Sequence, residues 1–310
     1  MYNPQKPYKR KILDLIKKTW QTPYITVAEG AYPIIKKKFS YPEVDHTDGI
    51  GTKGIYHWQQ GTLKNAVLDA LAMNLNDLAL LRAVPYKLQD HIMVPTEDER
   101  VVEIIKGLSL ECQKRKIAIT GGEVSFQDNF DGLDISLTVS GFIPKPRPNQ
   151  FRVSDVLIGL KSNGLHSNGF TTVRKVFGSN FRKDFVKPTR IYLDEILALE
   201  KRMKINGMMH ITGGAFTKLK DLLSRADAKI GRDHRLKPQP IFYEIYSREV
   251  DDRQMYQTFN CGIGFILSVR PQDVKKALAN LADAAIIGEV VRGSGNVIIE
   301  SIFSKKIIKF

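Results

Sequence analysis

The chain has 310 residues, 43% hydrophobic and 26% charged, which excludes a disordered or fibrous chain and leaves one large or two medium domains at about 100–200 residues each. No apolar run approaches the roughly 20 residues of a membrane-spanning helix, and the opening MYNPQKPYKRKI lacks the apolar stretch of a secretory leader. Two cysteines, Cys112 and Cys261, exclude a disulfide scaffold or multi-cysteine zinc site, so a soluble cytoplasmic protein is expected; its formal charge of +14 favours anionic partners.

Residues 9–20 (KRKILDLIKKTW) set Ile12, Leu13 and Ile16 at helical spacing with lysines opposite, predicting a short surface helix. A strand through Pro42, Glu43 and Val44 leads into a loop over 47–53, and 65–83 are apolar nearly all round, as in a buried helix. Residues 97–112 read as a helix with Thr96 as cap and Glu99 placed for a capping box. A β-like run over 116–120 ends in a Gly121-Gly122-Glu123 turn, and 134–143 alternate as a strand. Pro144, Pro146 and Pro148 deny helix and ladder hydrogen bonds and mark a boundary between domains 1–149 and 150–310. Beyond it come a strand over 155–160, a Gly/Ser/Asn loop, helices from about Asn168 and over 191–202, and a strand over 208–211. A Gly-Gly turn, a helix to about Leu223 and strand-like runs over 258–269 and 285–299 complete the chain. Strands alternating with helices in both halves predict two mixed α/β domains.

The basic residues fall in short clusters bordering apolar ones, as on wet helix faces. No zinc-finger spacing, basic heptad region or aromatic ribonucleoprotein motif accompanies them, so nucleic acid is not the expected partner.

Chemistry-bearing residues concentrate in a few places. In Asp48-Gly49-Ile50-Gly51-Thr52-Lys53, glycines let backbone approach phosphate oxygens, Lys53 can neutralise them and Asp48 can hold magnesium; a plain glycine turn with a surface lysine is the alternative. On the apolar helix, Asp69, Asn74, Asn76 and Asp77 span an arc of about 140–160°. Acids there require a cation, a donor network or a metal, or else they cap neighbouring backbone. Asp90 and Glu123 would complete an oxygen-only set suited to Mg²⁺. In the second half, Ser162-Asn163-Gly164-Leu165-His166-Ser167-Asn168-Gly169 runs into a helical pattern. Such a start is a natural anion site, with Ser167 and Asn168 as donors and His166 able to move a proton; a capped helix with a structural histidine is the bland reading. Thr212-Gly213-Gly214 repeats the arrangement, which favours a phosphate-bearing substrate.

Taken together these motifs resemble the phosphoribosylformylglycinamidine cyclo-ligase (aminoimidazole ribonucleotide synthetase) family. The matching segments are 47–53 (TDGIGTK), 70–79 (ALAMNLNDLA), 121–123 (GGE), 159–176 (GLKSNGLHSNGFTTVRKV), 188–199 (PTRIYLDEILAL), 210–214 (HITGG), 255–264 (MYQTFNCGIG) and 287–290 (IGEV), in family order. The resemblance implies two α/β domains, the first pairing with its copy in a homodimer to close a β-barrel. It implies ATP and Mg²⁺ mainly on the first domain, formylglycinamidine ribonucleotide in the cleft with the second, and ring closure in purine biosynthesis. Carried over, Asp48, Asp77, Asp90 and Glu123 would be the magnesium and ATP-phosphate acids, with Gly49, Gly51, Thr52, Lys53, Asn76 and Gly122 beside the nucleotide. Ser162, Asn163, Gly164, Ser167, Asn168, Thr212, Gly213 and Gly214 would bind the ribonucleotide, with His166 and Asp48 as catalytic groups. Two departures stand out: the family's glycine-rich segment ahead of the acid loop reads Thr26-Val27-Ala28-Glu29-Gly30-Ala31-Tyr32-Pro33 here, and Val124-Ser125 replaces a small Thr-Ala pair. The lid over ATP is thus expected to differ. The alternatives are another ATP-using phosphotransferase or synthetase on the same fold, such as a thiamine-phosphate kinase or selenophosphate synthetase, and an inactive basic nucleic-acid-binding relative.

Overall fold

A computed structural model describes residues 8–129 and 131–310; the leader reading rests largely on residues 1–7, outside them. The chain divides into two compact units, one of residues up to Leu78 with Ala83–Lys145, the other of Ala79–Arg82 with Pro146–Phe310. Both are mixed α/β, as expected.

The first unit opens with α1 (Lys9–Lys17), which tightens into a 3-10 turn, Lys18–Trp20. Two strands missed in the sequence, β1 (Ile25–Ala28) and β2 (Ile34–Lys37), form an antiparallel hairpin. Ile25 packs there with Tyr86, Ala118 and Phe142, joined by Trp20, Tyr24, Val27, Ile35 and Phe39. Then come β3 (Glu43–Gly49), α2 (Lys53–Gln60), α3 (Leu63–Leu80), β4 (Val84–Val94), α4 (Arg100–Arg115), β5 (Ala118–Phe126) and β6 (Asp134–Phe142). The sheet order is β3-β6-β4-β5, antiparallel except for β4–β5, which α4 joins as a parallel crossover. Side chains alternate: Leu88, Asp90, Ile92, Ile135, Leu137 and Val139 are buried, while Gln89, His91 and Thr47 are exposed on the opposite face. The α4 start differs from the capping-box expectation. The helix begins at Arg100, whose N–H donates to Asp98 Oδ1 at 2.8 Å, so Asp98 caps it rather than Thr96.

The second unit contains β7 (Val156–Lys161), α5 (Phe170–Phe177), α6 (Leu193–Glu200), β8 (Gly207–His210), a 3-10 helix (Ala215–Leu222) and β9 (Ala226–Ile230). It continues with α7 (Pro240–Tyr246), α8 (Asp252–Thr258), β10 (Ile263–Val269), α9 (Val274–Asn280), β11 (Ala284–Arg292), β12 (Val297–Glu300) and β13 (Ile307–Lys309). Its seven strands run β13-β12-β9-β11-β7-β10-β8, parallel only between β12 and β9. β10 is buried along its whole length, which explains why its sequence is apolar but for Ser268, whose Oγ donates to Asp155 Oδ2 at 2.6 Å. The run read over 285–299 is two strands, because Asp227 Oδ1 accepts from the N–H groups of Ser294 and Asn296 (2.8 Å each) and clips a turn between them. Among the described residues no helix is long and apolar enough to cross a membrane.

Candidate functional site

The first unit carries a cavity of about 920 Å³ at the β5 edge of its sheet. One end is polar, formed by Gln89, Asp90, His91, Thr120, Gly121, Gly122 and Glu123; the other is built by α1, Trp20 and the β1–β2 hairpin tip. Gly121-Gly122-Glu123 is not a turn: β5 runs straight through it, pairing Gly122 with Asp90 and Glu123 with His91 on β4. A Cβ on Gly122 would lie 2.6 Å from the Asp90 carboxylate, so the glycine is there to leave that carboxylate room.

Asp90 projects among core side chains and is only 7% exposed. Burial, reinforced by the charge of Glu123, pushes its pKa up to about 7. Its Oδ2 is buried with no hydrogen-bond partner, and such an oxygen is costly unless something charged meets it. Mg²⁺ binds through one or two carboxylates and completes its shell with water and phosphate oxygens, so Asp90, with one oxygen left to meet it, fits that ion, while Glu123, in register with His91, alternates to the other face of the strand.

The other expected acids lie elsewhere in the unit. By register Asp48, Leu137, Asp90 and Gly122 form one row across the sheet, which sets Asp48 two strand spacings, roughly 10 Å, from Asp90. Asp48 is on β3 rather than in a loop, and its Oδ1 accepts from Gly49 N–H at 2.7 Å. Asn74 donates to the Asp48 carbonyl (3.1 Å), and His46 bridges Asn74 Oδ1 (3.0 Å) and Asp77 Oδ2 (3.3 Å). The bond to Asp77 raises the His46 pKa. Among the described residues no three His, Cys, Asp or Glu side chains gather where they could hold a metal. The expected four-acid set is therefore two groups, Asp90 with Glu123 and Asp48 with Asp77 around His46.

Lys53 corrects its expectation. Gly51 and Thr52 form a short turn and Lys53 is already in α2, 1% exposed, with Nζ 2.8 Å from Asp69 Oδ2. His57 Nε2 meets the same oxygen at 2.7 Å. Burial alone would raise the Asp69 pKa, but Lys53 and His57 hold it down at about 2. The ammonium is thus committed inside the unit, not offered to a phosphate. Asp69 belongs to this buried cluster with Lys53 and His57, whose own pKa burial lowers, and Asn76 is fully buried, so the polar positions of α3 do not form one functional face.

In the second unit the loop over 162–169 is built tightly. Gln239 Nε2 donates to the Ser162 carbonyl (2.6 Å), Asn163 Nδ2 to Pro188 O (3.2 Å) and Asn260 Nδ2 to Gly164 O (2.7 Å). His166 sits at φ +61°, 1% exposed, and its Nε2 accepts from Asn163 N–H at 3.2 Å. Its ring lies 6.3 Å from Tyr192 and 6.5 Å from His210. That position makes His166 a brace beneath the loop, not an exposed proton carrier. Ser167 Oγ lies 3.1 Å from Thr189 Oγ1, and the loop leaves Ser167 and Asn168 half-buried at the surface. A Cβ on Gly213 would lie 3.6 Å from Asn168 Oδ1, so the 212–214 turn stands beside the loop. Thr212 Oγ1 accepts from Gly213 N–H (2.6 Å), and Ala215–Leu222 form a 3-10 helix, not the α-helix expected. Gly213 and Gly214 are exposed. Ser167, Asn168, Thr212, Gly213 and Gly214 are therefore brought together.

Sequence reading missed the α1 and hairpin wall of the first cavity. Its signal was present in the apolar stripe Ile12, Leu13, Ile16, which must cover something, and in the departures Glu29 and Tyr32.

The architecture is that of a two-unit α/β protein whose fold matches the crystal structure of "Hydrogenase Maturation Protein HypE in complex with ATP" with a TM-score of 0.71 at 18% identity, over 99% of this chain and 95% of that one. Residues 41–143 match the AIR synthase related protein N-terminal domain and 152–300 its C-terminal domain. The chain belongs to the AIR synthase related family. It is 37% identical to a phosphoribosylformylglycinamidine cyclo-ligase of Methanothermobacter thermautotrophicus over 80% of each chain. It is 34% identical to one of Saccharolobus solfataricus, over 93% of this chain and 90% of that. The resemblance read from the motifs is borne out.

Proposed function

We propose that the chain is an ATP-dependent phosphoribosylformylglycinamidine cyclo-ligase, closing formylglycinamidine ribonucleotide to aminoimidazole ribonucleotide with release of ADP and phosphate in purine biosynthesis. The observation that carries the reading is the buried Asp90 carboxylate, with its unpartnered Oδ2, against Gly122 and Glu123 on the wall of a nucleotide-sized cavity. The names of relatives at 37% and 34% identity supply the substrate.

An amide oxygen leaves poorly; transfer of the γ-phosphoryl to the formyl oxygen turns it into phosphate, and the amidine nitrogen then attacks the same carbon as phosphate departs. Such chemistry asks the protein for positioning and charge neutralisation, not a covalent nucleophile. Asp90 would hold Mg²⁺, which neutralises phosphate charge when bound, with Glu123 on the same cavity wall. Asp48, aligned in the same row, and Asp77 on α3 flank the nucleotide in this proposal, with Gly49, Gly51 and Thr52 giving backbone access and the buried Asn76 left to the interior of the unit. Ser167, Asn168, Thr212, Gly213 and Gly214 bind the ribonucleotide phosphate, and Ser162, Asn163, Gly164 and His166 fix the loop that presents them. Pairing of two copies through the exposed face of the β3-β6-β4-β5 sheet belongs to the same proposal; that face carries Thr47, Gln89 and His91.

The test is ADP release from Mg·ATP with and without formylglycinamidine ribonucleotide. Release that depends on this substrate and yields aminoimidazole ribonucleotide is expected. Folded protein that releases ADP only with another acceptor, or with none, overturns the assignment.

A further inference from the structure

The apolar end of the first cavity has no counterpart in the acid-and-glycine motifs. It is built mainly from residues 9–35, ahead of the residues 41–143 that match the family and that add Ile105 and Val124 to the lining. Its floor is α1, which presents Ile12, Leu13 and Ile16 to the cavity, with Trp20 and Ile35 beside them. This wall is fixed. Trp20 Nε1 donates to Ile119 O on β5 (2.8 Å), Thr19 Oγ1 accepts from Ile119 N–H (2.9 Å), and Ser109 Oγ on α4 donates to Leu15 O (2.6 Å).

Over the floor stands the hairpin tip, Glu29–Pro33. Tyr32 lines the cavity yet is 84% exposed, and Leu13 is 44% exposed. One exposed aromatic residue is ordinary; an exposed ring and an exposed leucine on the walls of the same cavity leave an apolar space with a π-face on it. An ion pair ties the tip to the wall, Lys17 Nζ to Glu29 Oε1 at 2.6 Å. Both partners are solvent-exposed, so the pair adds little to stability, but it fixes where the tip lies. The far end of the same cavity holds Asp90 and Glu123, so a ligand spanning it meets an apolar floor at one end and carboxylates at the other.

We propose that the α1–hairpin end is a nucleobase subsite, in which Tyr32, positioned by the Lys17–Glu29 pair, supplies the stacking face. The inference rests on the nucleotide reading of Asp90 and Glu123. It assigns base recognition to Tyr32, in the stretch where the family's glycine-rich segment is replaced.

Calorimetry with Mg·ATP and with Mg·tripolyphosphate, which has the phosphates but no base, tests it. Base stacking on an aromatic side chain corresponds to about fivefold or more in affinity. Tyr32→Ala is expected to weaken Mg·ATP by at least about fivefold while leaving Mg·tripolyphosphate unchanged, and Tyr32→Phe to bind both as wild type does. Glu29→Lys should weaken Mg·ATP alone, and the swap Lys17→Glu/Glu29→Lys should recover it. Unchanged Mg·ATP binding by Tyr32→Ala, with Asp90→Asn still losing it, would overturn the subsite and leave the nucleotide reading standing. Equal loss of both ligands in Tyr32→Ala would overturn base stacking, and a charge swap that recovers nothing would overturn the positioning role of the pair. Wild-type protein that takes up neither ligand would overturn the nucleotide reading and the subsite with it.

Discussion

Asp90 and Lys53 are both charged residues placed inside the first unit, and they do opposite things. The Asp90 carboxylate has a pKa of about 7 because burial and Glu123 disfavour its charge. An unfolded chain ionises it near pH 4, so its charge opposes folding as pH rises from about 4, and the penalty is complete above about 7. Asp90→Asn should therefore raise the thermal midpoint at pH 8, with a gain that shrinks towards pH 4, while abolishing Mg·ATP binding; a midpoint that drops at pH 8 would remove Asp90 as a destabilised ligand. Lys53 stabilises instead. The Lys53 charge and the His57 hydrogen bond keep Asp69 at about 2, so their contribution is present above about pH 4 and is lost as pH falls towards 2. Lys53→Met leaves Asp69 buried with His57 alone and should cost about 3–5 kcal/mol in urea unfolding at pH 7, with the KM for ATP of the folded enzyme nearly unchanged. A raised KM with intact stability would restore Lys53 to the phosphates. The sequence offered both as contacts for a metal-bound phosphate and could not separate them, since that depends on which way each element turns its side chain.

At the scale of elements, the long periodic ones were legible. α3 and β6 lie close to where their apolar patterns put them, because an all-round apolar helix and an alternating strand each fit one environment. Glycine misled where it serves packing. Gly121-Gly122 reads as a turn and is strand, since Asp90 takes the space over Gly122. Gly264 does the same in the second unit: a Cβ there would stand 2.1 Å from Tyr192 Oη and 2.6 Å from His166 Cε1. Gly264→Ala should cost about 1–3 kcal/mol in urea unfolding. It should also raise the KM for the ribonucleotide more than that for ATP, because His166 supports the 162–169 loop; equal KM values would separate His166 from that loop. The β1–β2 hairpin escaped detection because strands of four residues carry too little alternation to register.

At the scale of the whole molecule, the order of motifs in the chain settled the family. The patterning settled the mixed α/β character, because hydrophobic period and glycine placement are local properties that a linear string records. The chain by itself also marked the acids, the glycine loops and the missing glycine-rich segment. Only the tertiary structure decided that Asp90 and Glu123 share a cavity, that Asp48 and Asp77 gather around His46, that Lys53 turns inward and that α1 closes the cavity's apolar end. Each of those depends on register and crossover between segments distant in sequence, and the free energy of a charge is set by the groups packed around it.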